Sequence, residues 1–346
     1  MPYSFGLSGG RVWVNFSLRM GKGLAPMKLH RLWIVAIAAA MLAGCASKYT
    51  YDSSAATTCF TAKNADDLIK YCTTVLAEQP ELLFFDAGHA YNNRGLGYLL
   101  KKQYDLALAD LDQAVRLEGY EPTVYLNRGD AYFGKHDYDR AIADYDRAAA
   151  KAPTAGEIYL HRGMAYLWKQ QKTLAMADFD RAVDYGGDLS TAAYFYRGVA
   201  HADAYDYDKA ATDFRQVLDL KPDTPAAEDG LCQVLAFAGR TFEAMRHCER
   251  AVKAVPKADG ALFARGYAAL RNGDWKGALV DCDAAAEASP APAAARYCSG
   301  YAHERLGDQE AAKAAYAAAH SADPKIGDSM RRLGIVPGAT AIKPEV

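Results

Sequence analysis

The chain has 346 residues, 51% of them hydrophobic, and carries 40 basic against 42 acidic residues for a net charge of −2. That length is ample for a buried core, and the near-balanced charge lacks the basic footprint that a nucleic-acid partner requires. Its eight His are scattered singly and no CxxC spacing occurs, so neither a metal centre nor a cofactor is expected.

Residues 1–26 read as a start-site artefact, with Met27 as the effective first residue. Lys28 and Arg31 precede the apolar run Leu32–Ala43, whose 12 residues fall short of the roughly 20 needed to span a bilayer. A basic start, a short apolar middle and small residues afterwards are the pattern of a secretory signal peptide, here 27–44. Leu42-Ala43-Gly44-Cys45 resembles the lipobox of bacterial lipoproteins. The resemblance implies cleavage before Cys45, acylation of its thiol and new amino group, and firm membrane attachment through several chains. Ala46, where an Asp would signal inner-membrane retention, implies the outer membrane, with the folded part facing the periplasm. A plain cleaved signal or an uncleaved anchor is the alternative. Removal of residues 1–44 takes away Arg11, Arg19, Lys22, Lys28 and Arg31 and no acid, leaving 35 basic and 42 acidic residues, a net of −7. Lipidation of Cys45 also leaves six other Cys, an even number in an oxidising compartment.

Residues 45–58 are small, polar and aperiodic, and read as a lipidated tether. Residues 59–87 hold a capping helix, with Asn64 as its N-cap and Asp66 and Asp67 in its first turn. Cys59 is placed to staple the entry segment to Cys72.

From there the chain repeats itself. "YNNRGLGYLLKKQYDLALADLDQA" (91–114) returns as "YLNRGDAYFGKHDYDRAIADYDRA" (125–148), "YLHRGMAYLWKQQKTLAMADFDRA" (159–182) and "YFYRGVAHADAYDYDKAATDFRQV" (194–217). Gly95, Gly129, Gly163 and Gly198 mark the copies at intervals of 34, 34 and 35 residues, and Cys232, Gly266 and Gly300 follow at the 34-residue spacing. With recurring Ala at 107, 141, 175, 210, 244, 278 and 312, and Pro153, Pro222, Pro256, Pro290 and Pro324 closing copies, the pattern resembles the tetratricopeptide repeat. The resemblance implies an all-α TPR superhelix of about seven helix–turn–helix repeats: 88–121, 122–155, 156–190, 191–224, 225–258, 259–292 and 293–326. Residues 327–335 read as a capping helix over the last repeat and 336–346 as a disordered tail. The 64–80 segment resembles half a repeat.

Five copies carry Arg before the Gly and Asp sixteen residues later: Arg94 with Asp110, Arg128 with Asp144, Arg162 with Asp178, Arg197 with Asp213 and Arg265 with Asp281. The other two lose both partners together (Leu231 with His247, Ser299 with Ala315). This joint loss points to a charge-assisted contact between the two helices of a repeat, a structural pairing. Cys232 and Cys248, on facing helices, and Cys282 and Cys298, on successive antiparallel helices, are also 16 apart. They are expected as disulfides, with small buried hydrophobes as the alternative.

No HExxH, GxSxG, phosphate loop or paired-carboxylate arrangement follows Cys45, so no enzymatic activity is expected. In the resembled family the first helix of each repeat lines a concave groove that takes peptides. The corresponding groove candidates are Leu96, Phe133, Leu160, Met164, Trp168, Phe195, Phe263 and Tyr267, with Met164 and Trp168 the foremost pair. An aromatic and aliphatic groove suits an apolar or helical partner segment. The expected function is an outer-membrane-anchored periplasmic scaffold or adaptor that binds proteins or peptides. The alternatives are a subunit of a secretion or pilus machine, and an enzyme or glycan-binding protein with its site in the groove.

Overall fold

A computed structural model describes residues 53–78, 84–118, 121–187 and 190–338. By its contacts the chain divides at Ser53, and the described helices belong to the unit Ser54–Val346 but for the first residue of the first helix. That unit is an all-α superhelix. Two helices precede the repeats, α1 (Ser53–Thr61) and α2 (Ala65–Glu78). Seven antiparallel pairs follow: α3 (Phe84–Leu100) with α4 (Tyr104–Glu118), α5 (Pro122–Gly134) with α6 (Tyr138–Lys151), and α7 (Gly156–Trp168) with α8 (Lys172–Tyr185). Next come α9 (Ser190–Asp203) with α10 (Tyr207–Leu220), α11 (Pro225–Phe237) with α12 (Thr241–Ala254), α13 (Asp259–Arg271) with α14 (Trp275–Ala288), and α15 (Ala293–Leu306) with α16 (Gln309–Ala322). A short α17 (Ile326–Arg332) ends the series.

Local chemistry sets the helix boundaries. Asp137, Asp274 and Asp308 accept hydrogen bonds from the backbone N–H of Arg140, Gly277 and Ala311, capping three second helices. Asn64 does the same for α2 through the N–H of Asp67 at 2.9 Å. Pro122 and Pro225 open α5 and α11, where an N–H would have no helical partner. Within a repeat, a residue without a side chain meets a bulky one. A Cβ on Gly129 would come within 2.5 Å of the Tyr145 ring, so only Gly lets α5 and α6 close over that fully buried phenol. In the fifth repeat these two positions are Cys232 and Cys248, and their sulfurs are bonded. A covalent link there replaces the glycine–aromatic contact.

The disulfide Cys59–Cys72 joins α1 to α2, and Cys282–Cys298 joins the sixth repeat to the seventh. Residues 53–58, expected as tether, are helical: Ala55 and Ala56 are buried in one cluster with Cys59, Cys72 and Ala90. Their small side chains carry no amphipathic period but allow close packing. The rest of the tether, Cys45 and the apolar run lie outside the described residues. No helix among the described residues is long and apolar enough to cross a membrane.

Successive first helices touch each other along the chain (α3 with α5, through to α13 with α15), whereas successive second helices do not. The first helices therefore line the inner, concave side of the superhelix.

Candidate functional site

The concave face is held in shape by a ladder of forked guanidinium groups. Arg128 donates from Nε and Nη2 to both carboxylate oxygens of Asp144, at 2.7 and 2.8 Å, and from Nη1 to Asp112 of the preceding repeat at 2.9 Å. Arg162 repeats the geometry with Asp178 and Asp146, and Arg197 with Asp213 and Asp180. Arg94 forks onto Asp110 and reaches Thr73 of α2 with its third nitrogen; Arg265 forks onto Asp281. These planar two-point pairs are the strong kind of charged hydrogen bond. Each raises the pKa of its Arg above the ordinary value, mainly through the hydrogen bond to its own Asp. The links to Asp112, Asp146 and Asp180 have a sequence signal of their own, in the "DLD", "DYD" and "DFD" triplets whose second Asp reaches forward to the next repeat. In the sixth repeat Asp283 of "DCD" instead accepts from the hydroxyl of Ser299 at 2.7 Å.

Where the ladder lapses in the fifth repeat, His247 Nδ1 lies 2.6 Å from Glu228, which also accepts from Arg250 Nε at 2.7 Å. Another cross-repeat link joins α5 to α7. Asp130 accepts from the Tyr145 hydroxyl at 2.7 Å and lies 2.6 Å from His161 Nδ1. Burial disfavours the charged imidazole, but the hydrogen bond and charge of Asp130 outweigh it, and the His161 pKa stands above its usual value.

The groove candidates separate into three groups. Leu96 borders a recess of about 530 Å³ that also includes Asn92, Asn93, Asn127 and Leu126. A chain of side-chain amides runs along it: Asn127 Nδ2 donates to Asn92 at 2.9 Å, Asn92 to Asn93 at 3.2 Å, and Asn93 to the Cys59 carbonyl at 3.1 Å. Phe133 and Met164 are half-buried, while Trp168 is 63% exposed and stacks on Tyr138, with ring centroids 6.4 Å apart. Phe133 meets the same Tyr138 edge-on at 5.4 Å, so three aromatic rings form a platform at one end of α5 and α7.

Phe195 and Phe263 are half-buried and packed against the core. Phe195 borders a recess of about 270 Å³ between α9 and α11 with Val199, Phe214 and Asp229. Burial raises the Asp229 pKa; the Gln233 amide 2.8 Å away opposes this, and the nearby Asp259 adds to it.

Leu160 and Tyr267 are both buried, for different reasons. Leu160 is buried in the cluster formed by the second to fourth repeats, because its position on α7 faces the neighbouring helices. Tyr267 is 1% exposed, and its hydroxyl donates to the Leu333 carbonyl at 2.7 Å. The segment that covers it is the chain's own C-terminal part. Residues 327–335, expected to cover the last repeat, run back across the concave face. Met330 and Ile335 are buried there, and Arg332 Nη1 donates to the Tyr205 hydroxyl of the fourth repeat at 3.3 Å. Of the expected disordered tail, residues 336–338 are described, and the Gly338 N–H donates to Glu304 on α15 at 2.6 Å. Residues 339–346 lie outside the described residues. No group of three or more metal-ligating side chains occurs among the described residues.

Family models of the tetratricopeptide repeat match residues 88–119, 126–188, 191–224, 233–291 and 293–326, most of the chain. The chain belongs to the tetratricopeptide-repeat proteins. A sequence comparison with curated proteins gives no match. Among solved structures, a tetratricopeptide repeat protein from Parabacteroides merdae is similar, with 17% identity and a TM-score of 0.54 over 72% of this chain and 98% of that one. The APC/C hetero-tetramer Cut9–Hcn1 gives 14% identity and a TM-score of 0.58 over 81% of this chain; the match spans 54% of that chain. YrrB, described as a TPR protein with an unusual peptide-binding site, gives 20% identity and a TM-score of 0.46 over 54% of this chain and 95% of that one. These likenesses concern the fold.

Proposed function

We propose that this chain is a lipid-anchored scaffold of the bacterial periplasm, attached to the outer membrane through Cys45, which captures a partner protein segment on its concave face. The observation that carries the reading is the open half of that face. The recess at Leu96 and the Phe133 and Trp168 rings belong to first helices, with Tyr138 at the start of α6 contacting both rings, and the Arg–Asp ladder fixes their spacing. Aromatic anchors beside side-chain amides are suited to grip a peptide by its apolar side chains and its backbone. The three disulfides support an oxidising compartment, and the Leu42–Cys45 motif supports the anchor.

Cross-linking and pull-down from membranes should recover partners with the wild type and lose them with Met164→Asp combined with Trp168→Asp. An identical partner set from both chains would contradict the groove reading. Cys45→Ser should move the protein from the membrane fraction to the soluble periplasm or leave it unprocessed. Unaltered mass and fractionation would contradict the anchor.

A further inference from the structure

The concave face is open over the first repeats and occupied over the last ones by residues 326–338. This segment makes the contacts of a bound peptide. α17 is only seven residues long, and Gly334, at φ 76°, turns the chain so that Ile335 follows Met330 into the buried cluster around Tyr267. The Leu333 carbonyl takes the Tyr267 hydroxyl, and Arg332 reaches the Tyr205 phenol at the far rim. Beneath lies a continuous aromatic floor: Tyr205, Tyr207, Phe237 and Tyr267 follow one another with centroids 6.3, 6.1 and 5.6 Å apart.

The fit is incomplete. In the same cluster, the Tyr301 hydroxyl is buried without a hydrogen-bond partner among the described residues. A buried hydroxyl without a partner is an unfavourable feature of the closed arrangement. At the Tyr207–Phe237 end the floor continues into an open recess of about 480 Å³ beside Asp203 and Gln233. An incoming segment has a foothold there beside the chain's own.

We propose that residues 326–338 are a removable intramolecular ligand of the concave face. The external partner at the same place is a segment of matching chemistry: a short helix with two aliphatic anchors five residues apart and an Arg or Lys at the aromatic rim. This rests on the concave face being the partner face. A tethered occupant lowers the apparent affinity for any free competitor by the fraction of time the face is open. A partner that first engages the Trp168 platform gains effective concentration against the tethered occupant.

The test is a titration of a synthetic peptide of residues 323–338 against two full-length chains: the wild type, and a variant with Met330→Asp and Ile335→Asp whose own segment is expelled. The peptide should bind the variant and bind the wild type about tenfold more weakly, or worse. A peptide carrying the same two substitutions should bind neither chain, and one carrying Arg332→Glu should bind the variant less well than the wild-type peptide does. No binding to a variant that keeps its helical circular dichroism, or equal binding to both chains, would overturn the proposal. If the double variant fails to fold, Tyr267→Phe removes one hydrogen bond only. Amides of residues 333–338 should then exchange with deuterium faster while those of α13 do not, and unchanged exchange in 333–338 would equally overturn it. A failure here leaves the Trp168-dependent capture of partners standing, because that is read at the other end of the face.

Discussion

Repeats one to four and repeats five to seven share a 34-residue plan but are held together by different chemistry. The first group is tied across repeats by guanidinium forks, Arg128, Arg162 and Arg197 each spanning two repeats, and contains no disulfide. Its helix-to-helix turns place Lys102, His136, Gln170 and Tyr205 in the left-handed region, where a side chain is strained. The second group has one forked pair, Arg265–Asp281, and two disulfides. The corresponding turns are Gly239, Gly273 and Gly307, at φ 81–87°, where Gly carries no such strain. The concave face differs likewise, open in the first group and covered by residues 326–338 in the second. One repeat plan thus supports an exposed half fixed by polar forks and a closed half fixed by covalent bonds.

The largest effect expected from breaking this contrast is at the ladder. Asp144 is 1% exposed and takes both the Arg128 fork and Arg147. Asp144→Ala should cost about 3–5 kcal/mol in denaturant unfolding, because Arg128 loses its fork in a partly buried place. Arg128→Leu combined with Asp144→Ala should recover a good part of that loss, since no guanidinium is then stranded. Additive losses in the double variant would refute the pairing as the cause.

Next comes the covalent half. Cys232→Ala with Cys248→Ala should lower stability by about 2–4 kcal/mol, and reductant should lower the wild type but leave the Asp144→Ala increment unchanged. Intact mass with and without reductant should count three bonds, and six free thiols in the untreated protein would contradict all three.

Smaller effects are expected at the turns, where the two halves should answer in opposite directions. Gln170→Gly should raise stability by up to about 1 kcal/mol by removing left-handed strain, and Gly273→Ala should lower it by about 1 kcal/mol or more. Equal signs at the two sites would show that the turns do not distinguish the halves.

The smallest effect is expected to be pH-dependent. His161 has a raised pKa in the folded protein because of Asp130. Its contribution is complete below the unfolded value near 6.5 and is lost as pH rises through the higher folded value. His161→Gln should flatten that decline relative to the wild type, and parallel pH profiles would remove His161 from the link.

The repeats and the intrarepeat pairs could be read from sequence because both are periodic. Arg94 through Asp281 recur at fixed offsets, and a position lost together with its partner signals contact. Helix α1 escaped because Ser53–Thr61 packs through small side chains that leave no apolar period. Leu160 is buried because a first-helix position can face either the groove or the next helix, and spacing alone does not distinguish them, whereas Tyr267 lies on the concave face but under the chain's own C-terminal segment. The path of residues 326–338 could not be read at all. Its contacts join residues 66 and 127 positions apart, with no repeat to reveal them.

The most direct test of partner capture by the concave face is site-specific photo-crosslinking in intact cells. A photoreactive residue replaces Trp168 on the concave side or Val280, 68% exposed on the second helix of the sixth repeat. Adducts of higher mass are expected from position 168 and none from position 280. Adducts from position 280 with none from position 168 would contradict a partner held in the groove.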